Sequence, residues 1–172
     1  LSAKGQSGAD AFTVSLEAPK LALSPEKSGG EAVTLSATLQ GAGRSAAVNL
    51  VLNGVEGNAD ALNIASLVLK LDAKAGDASV KGQLSSPVAV NVAGQSVTLA
   101  KLTGQVDLAH PSMPMKSVTL PINGSLKADA LQQTAALDLA TQFDESKIAT
   151  SVKVAKFAPL ALAFDLDVDK LN

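Results

Sequence analysis

Apolar and polar residues alternate with period two along almost the whole of this 172-residue chain. In the segment 33–40, VTLSATLQ, apolar residues occupy the odd positions and polar residues the even ones. Successive side chains of a β-strand point to opposite faces of a sheet, so each such strand has one apolar and one polar face. No segment of ten or more residues shows convincing apolar spacing for a helix. The chain is therefore predicted to be all-β.

The alternation predicts about eleven amphipathic strands. Short polar connections leave no room for crossover helices, so the strands are expected to be antiparallel, in a strongly curled sheet or a two-layer sandwich with one apolar concave face. Residues 1–10 are predicted to be a linker-like start, and 11–172 a single all-β domain excised from a longer chain. The predicted strands are 11–18, 32–40, 47–53, 67–73, 77–84, 87–92, 96–109, 117–128, 134–143, 146–155 and 160–169.

The apolar residues change parity at two places. One change lies near Ala65–Ser66 and the other at Ala100–Lys101. A regular strand cannot exchange its faces, so we expect a bulge or tight turn at each place. A proline inside a predicted strand, Pro121, similarly predicts an edge position or a bulge because it has no N–H to donate.

The segment 88–100 is predicted to be a hairpin with Gly94–Gln95 at its tip, because glycine supplies the positive φ of a II′ turn. Val92 would then lie opposite Val97, with Val90 opposite Leu99. A weak internal repeat with an offset of 68 residues also relates the segment 67–84 to 135–152. A duplicated hairpin and convergence of two amphipathic hairpins explain that repeat equally well.

Composition excludes several functions. Hydrophobic residues make up 47% of the chain but aromatic residues only 2%, so apolar surfaces are lined by aliphatic groups with few polar tips. That lining favours packing or acyl ligands over stacking on sugars or nucleotides. The formal charge of −2 is scattered along the chain, which predicts no nucleic-acid partner. Cysteine is absent, so disulfides and thiolate metal sites are excluded.

Three acids near the end of the chain, Asp165, Asp167 and Asp169, have the D-x-D-x-D spacing with which an EF-hand calcium loop begins. Lys170 occupies the sixth position, where that loop requires glycine. In an extended strand the carboxylates lie about 6.5–7 Å apart, too far for one ion to gather all three. We therefore predict no metal site and interpret the acids as the solvated face of a strand. A one-residue slip would bury them, so they also fix the strand's register.

The only histidine, His110, lies near both methionines, Met113 and Met115, in the segment AHPSMPM. Imidazole and thioether groups bind Cu(I), but an ordinary exposed loop explains the segment better. No nucleophile, phosphate-loop or zinc-protease motif is present. We predict no catalytic residues, no cofactor and no enzymatic activity.

The segment 122–172 resembles the AsmA family of Gram-negative envelope proteins. In that family a strand ending in a D-[DE]-S turn leads to another strand, a proline-bearing connector, and a run close to F-D-L-D-[IV]-D-[KR]-L-[ND]. The matching residues here are Asp144–Glu145–Ser146, Phe157–Ala158–Pro159 and 164–172.

This resemblance implies a periplasmic segment of an inner-membrane-anchored protein that takes part in outer-membrane biogenesis. The membrane anchor would lie in segments absent from this chain. Family members are thought to form long curved sheets whose apolar concave face assists phospholipid passage between membranes. The resemblance thus implies phospholipid or acyl chains as ligands. The candidate lipid-binding residues on the apolar face are Leu137, Leu139, Ile148, Val152, Val154, Leu162, Phe164, Leu166 and Val168.

The alternative is a structural or interaction module, such as a scaffold or adhesin-like β-sandwich with a closed core and no ligand. A closed core produces the same alternation as an open groove. Exposed strand edges in either case could pair with envelope protein partners.

Overall fold

One antiparallel sheet contains every strand of the molecule that the structure describes. The structure is a computed structural model that describes residues 1–20, 22, 24 and 26–170. The strands are β1 (Ser2–Ser7), β2 (Asp10–Glu17), β3 (Ser28–Gly29), β4 (Val33–Gly41), β5 (Arg44–Gly57), β6 (Ala61–Ala75), β7 (Ala78–Asn91), β8 (Ser96–Ala109), β9 (Ser117–Asp129), β10 (Thr134–Phe143), β11 (Ser146–Lys156) and β12 (Ala161–Val168).

The sheet is a meander in which nearly every strand pairs with its successor in the chain. The order is β1-β2-β4-β5-β6-β7-β8-β9-β10-β11-β12, and the two-residue β3 pairs with the end of β5 that β4 does not reach. This confirms the all-β, antiparallel prediction.

The expected second layer and the strong curl are not observed in the described part of the chain. The sheet is open, with β1 and β12 at its edges. Appreciable contacts between strands are those between hydrogen-bonded neighbours. Short connections place each strand beside the previous one, so the meander grows in one direction and nothing folds one half over the other.

Both predicted parity changes are β-bulges. The register shifts between Ile64 and Leu67 in β6 and between Leu99 and Leu102 in β8. A third irregularity, which the sequence analysis missed, lies in β5, where Gly54 has a positive φ of 63°. Glycine adopts that conformation without the steric cost that other residues incur.

The three irregularities lie side by side across β5–β8, and we call this line of positions the crease. We define the crease as Gly54, Ala65–Ser66, Pro87 and Ala100–Lys101. In the β5–β6 register Gly54 falls opposite Ala65, and in the β7 pairings Pro87 falls opposite both bulges. Pro87 also lies within β7, which is one continuous strand where the sequence predicted two, 77–84 and 87–92.

The small hydrophobic core of the molecule lies along the crease. Among the described residues the buried apolar side chains are Val55, Ile64, Val88 and Leu102, and each is within two residues of a crease position. No described side chain is fully buried. Bulges bend a strand and increase its twist, which brings apolar neighbours together locally.

The prediction of a linker-like start is wrong for residues Ser2–Ser7, which form the edge strand β1. Gly5 pairs with Phe12, and the backbones of Leu1 and Leu16 exchange hydrogen bonds of 2.7 and 2.8 Å. Strand pairing uses backbone groups that every residue except proline carries in full. The polar composition of this segment therefore did not exclude a strand.

The predicted hairpin forms between β7 and β8, but in a different register. Val90 lies opposite Val97, and Val92 falls in the connecting loop with 43% of its surface exposed. The positive φ belongs to Gln95, at 47°. The Asn91 side chain accepts a hydrogen bond of 2.7 Å from the Gly94 amide and so closes a four-residue loop. The prediction had assumed a two-residue turn, and this difference in loop length accounts for the different register.

Pro121 lies in an interior strand, yet one of its flanks is open. It pairs with Gln105 of β8, while the pairing of β9 with β10 stops at Ile122. Its position is therefore edge-like on the β10 side, where a missing donor costs little.

The two halves of the weak repeat have the same hairpin geometry. Ala75 pairs with Ala78 in β6–β7, and Phe143 pairs with Ser146 in β10–β11, again at an offset of 68. The hairpins β1–β2 and β4–β5 also have two-residue turns. The shared geometry is thus a general property of this meander, and duplication and convergence both stay open.

Candidate functional site

The two faces of the sheet differ in chemistry from one edge to the other. Register places the apolar residues of successive strands next to one another, and we call this side the apolar face. The opposite side, rich in Ser, Thr, Asn, Lys and Asp, is the polar face. Representative rows of the apolar face are Leu50–Leu69–Leu84, Val106–Leu120 and Leu126–Leu137–Val152–Phe164.

The apolar face is largely uncovered. The accessible surface of the chain is 11009 Å². A compact monomer of 17.3 kDa exposes about 7,800 Å² by the usual scaling of surface with mass. The excess arises because a single-layer sheet has no second layer against which to bury its apolar side. Large exposed apolar patches occur at protein, membrane and ligand interaction sites and on surfaces prone to aggregation.

All nine predicted lipid-binding residues lie on the apolar face at the β10–β12 end. Val152 pairs with Leu137 on one side and Phe164 on the other, and Ile148 pairs with Val168. Leu139, Val154, Leu137, Ile148, Val152 and Val168 are half-buried. Leu162, Phe164 and Leu166 of the edge strand expose 58%, 62% and 52% of their surface. The structure brings these residues together.

The sequence predicted one apolar face but candidate lipid-binding residues only at its β10–β12 end, whereas the face continues across the whole sheet. Phe12, Val14 and Leu16 of β2 are 38–40% exposed on the same side, at the far end from β12. The cluster of Val55, Ile64 and Val88 lies between the two ends and packs with Leu52, Leu67, Val90, Val97 and Leu99. Alternation in the sequence marks the apolar side of every one of these strands. Only the register across β1–β12 shows that these apolar sides lie on the same face of the sheet.

The acidic series lies on the polar face, as predicted. Asp165 and Asp167 are exposed, and Asp169 accepts a hydrogen bond of 2.6 Å from the Lys147 amide. The described residues contain no group of three or more His, Cys, Asp or Glu side chains that could hold a metal ion.

The loop around His110 is a compact turn at one end of the sheet. Its imidazole Nδ1 accepts a hydrogen bond of 3.1 Å from the Ser112 amide, and the Met113 amide donates to the His110 carbonyl at 3.0 Å. Met115 is 59% exposed. The imidazole Nδ1 thus accepts a hydrogen bond within the loop, and His110 and Met113 are half-buried.

Open depressions lie over the polar face. One of them, of ≈ 610 Å³, is lined by Asp138, Ala149, Ser151, Asp165 and Asp167, among others. Others lie above the β4–β8 region and above the strands near Lys127 and Lys153. They exist because Ala, Ser and Thr side chains are short, and they lie on the opposite side of the sheet from the predicted lipid-binding side chains.

The ion pairs in the described part of the chain lie away from the apolar face. Lys20 pairs with Glu31 at 2.7 Å, and Arg44 binds Asp10 with two nitrogens beside a hairpin turn. The hydrogen bond and then the charge of Asp10 raise the pKa of Arg44, which is protonated at neutral pH in any case. These two pairs lie at connections between strands, and a third, between Lys81 and Asp72 at 3.5 Å, lies on the polar face between β6 and β7.

Comparisons of the chain with protein-family models, with curated proteins and with solved structures find no match. The described residues include no helix of the length and apolarity that crossing a bilayer requires.

Proposed function

We propose that this chain is a periplasmic, lipid-handling segment of an AsmA-like envelope protein and that its apolar face binds phospholipid acyl chains. The supporting observation is the exposed apolar side of a single-layer sheet, from Phe12 at one end to Phe164 at the other. The sequence resemblance over 122–172 supplies the envelope context. In this proposal the protein acts in outer-membrane biogenesis without catalysis and is anchored through segments outside this chain.

The chemistry of the face suits acyl chains better than polar ligands. Its side chains are almost all Leu, Val, Ile, Ala and Phe, so dispersion and the hydrophobic effect dominate and few hydrogen bonds could orient a polar ligand. Each buried methylene contributes about 0.8 kcal/mol. Eleven strands about 4.8 Å apart make a face about 50 Å wide, wider than the roughly 30 Å hydrocarbon core of a bilayer.

The crease is the place where we propose that the face becomes a groove. Val55, Ile64 and Val88 are buried there, whereas Leu162, Phe164 and Leu166 at the edge are more than half exposed. We propose that the sheet bends along the crease around bound lipid, with the apolar face on the inside.

The proposal is tested by purifying the chain from a Gram-negative host and identifying co-purifying lipids by native mass spectrometry and extraction. The matched variants share one strand: Phe164→Asn with Leu166→Asn changes the apolar face of β12, and Asp165→Asn with Asp167→Asn changes its polar face. All four side chains are exposed, so neither change should unfold the sheet. We expect the first pair to weaken binding of a fluorescent phospholipid about tenfold or more, and the second pair to leave it unchanged.

The alternative function, a structural or interaction module with a closed core, makes the opposite prediction. A second sheet would then cover the apolar face at a distance of about 10 Å. A lipid-free protein that forms a face-to-face dimer would favour this module and contradict lipid handling. Equal lipid binding by both variants would contradict the assignment of the apolar face of β12 to lipid.

A further inference from the structure

One end of the sheet presents apolar side chains to solvent at the tips of its loops. The connections β7–β8 (92–95), β9–β10 (130–133) and β11–β12 (157–160) all lie at this end, because consecutive strands of a meander run in opposite directions. We call these three connections the loop end. The large apolar side chains exposed in them are Val92, Leu131, Phe157 and Leu160.

Backbone hydrogen bonds fix the loop that carries Leu131. The Ala130 amide donates to the Gln95 carbonyl at 2.9 Å, which joins the β9–β10 loop to the β7–β8 loop. Within the β9–β10 loop, the Gln132 amide donates to the Asp129 carboxylate at 2.7 Å. Turn tips usually carry Gly, Asn, Asp or Ser, so the geometry of this turn does not explain a leucine that is 61% exposed.

The opposite end of the same strands has a different chemistry. The turns of β6–β7 and β10–β11 there are Gly76–Asp77 and Asp144–Glu145. Met115 in the β8–β9 turn and Phe143 at the end of β10 are exposed at that end. Acids therefore border the apolar groups of that end, and the loop end differs from it in the sign of its charge.

Lysines border the loop end on the polar face. Lys127 of β9 and Lys153 of β11 lie on either side of Ala136, and Lys156 is the last residue of β11. All three lysines are exposed. An open depression of ≈ 520 Å³ lies between Lys127 and Lys153 and reaches the β9–β10 loop. Asp129 also lines this depression, so lysines outnumber acids at the loop end of β9–β12.

Apolar tips bordered by lysines fit a bilayer surface better than a protein surface. The tips belong to successive hairpins, about 10 Å apart, so they are separate points and not one continuous patch. A bilayer interface accepts apolar groups one by one, while lysines bind anionic lipids. Protein interfaces, in contrast, are depleted in Lys and centred on anchors such as Trp and Tyr, which this chain lacks.

We propose that the loop end docks on the surface of an anionic phospholipid bilayer. Leu131 and Leu160 enter the boundary between headgroups and acyl chains. Lys127, Lys153 and Lys156 bind lipid phosphates, with their apolar stems along the sheet. This contact uses the loops and the polar face, so it does not depend on lipid binding by the apolar face.

Sedimentation with phospholipid vesicles tests the docking. We expect the protein to bind vesicles of equal parts phosphatidylcholine and phosphatidylglycerol, and to bind phosphatidylcholine alone about tenfold more weakly or less. Lys127→Gln with Lys153→Gln should weaken binding to the anionic vesicles about thirtyfold. Lys74→Gln with Lys147→Gln makes the same change in net charge at exposed positions near the opposite end and should leave binding nearly unchanged.

Fluorescence measures the orientation, because the chain contains no tryptophan. Leu131→Trp places one indole at the loop end, and Met115→Trp places one at the opposite end. The two original side chains are almost equally exposed, at 61% and 59%. We expect anionic vesicles to shift the emission of the Leu131→Trp protein to shorter wavelength and brominated lipids to quench it, with neither effect in the Met115→Trp protein.

A further pair of substitutions separates docking from lipid held on the apolar face. In a protein that also carries Phe164→Asn with Leu166→Asn, the Leu131→Trp signal should persist, and its loss would overturn the proposal. Equal emission shifts at positions 131 and 115, or insensitivity to the changes at Lys127 and Lys153, would overturn it as well. Absence of vesicle binding would favour a protein partner for the loop end. Failure of lipid to co-purify would instead contradict only the proposed function.

Discussion

At the scale of single residues, glycine decides where the sheet can crease. Gly54 has a φ of 63°, and a β-carbon built on it would lie 2.8 Å from that of Ala65. Gly43 has a similar φ of 72°, but no atom lies within 4 Å of such a carbon. The two glycines thus separate the cost of the backbone conformation from the cost of crowding.

We predict that Gly54→Ala destabilises the protein more than Gly43→Ala does. The left-handed conformation costs alanine about 1–2 kcal/mol at either position, and only position 54 adds the close contact with Ala65. Denaturant unfolding measures the difference. Restoring room with Ala65→Gly should rescue much of the loss in Gly54→Ala, and equal effects at 43 and 54 would show that crowding at the crease is unimportant.

At the scale of elements, strands and their bulges followed the pattern of the sequence closely. The sequence predicted the bulges near Ala65 and Ala100 because apolar residues must stay on one face of the sheet. It predicted the wrong β7–β8 register because the Asn91 side chain closes a longer loop than a turn at the glycine would have. Turn geometry depends on such local hydrogen bonds, which alternation does not encode.

The equivalent hairpins β6–β7 and β10–β11 provide a prediction about turns. Gly76 and Asp144 occupy the same turn position, with φ values of 56° and 54°. Glycine tolerates this conformation better than aspartate, so Asp144→Gly should stabilise the protein by about 0.5–1 kcal/mol, and Gly76→Asp should destabilise it by a similar amount. Thermal unfolding of the two variants tests the pair, and effects of the same sign would refute the equivalence of the turns.

At the scale of the whole molecule, the single layer leaves the protein with little buried apolar surface. Its 11009 Å² of accessible surface implies that folding buries about a fifth less area than in a compact protein of this mass. The heat-capacity change of unfolding follows the buried apolar area. The thermodynamics of unfolding therefore report whether the apolar face is covered in solution.

We predict a heat-capacity change of unfolding about a fifth below that of a compact 172-residue protein, which is about 2.1–2.6 kcal/mol/K. Phospholipid should raise the unfolding temperature, because a ligand that binds only the folded state stabilises it. Differential scanning calorimetry with and without detergent-solubilised phospholipid measures both quantities. A heat-capacity change in the compact range without lipid would mean that another protein surface already covers the face.

The sequence by itself determined that this chain is all-β, where most strands lie, and which residues share a face, because period two is a local property of the backbone. It also placed Asp165 and Asp167 on the solvated side of β12 and Phe164 on the other. Only the tertiary structure decided that the strands form one open layer and that β1 belongs to it. Alternation gives each strand an apolar face but does not say what covers that face, because covering depends on how distant strands are arranged in space.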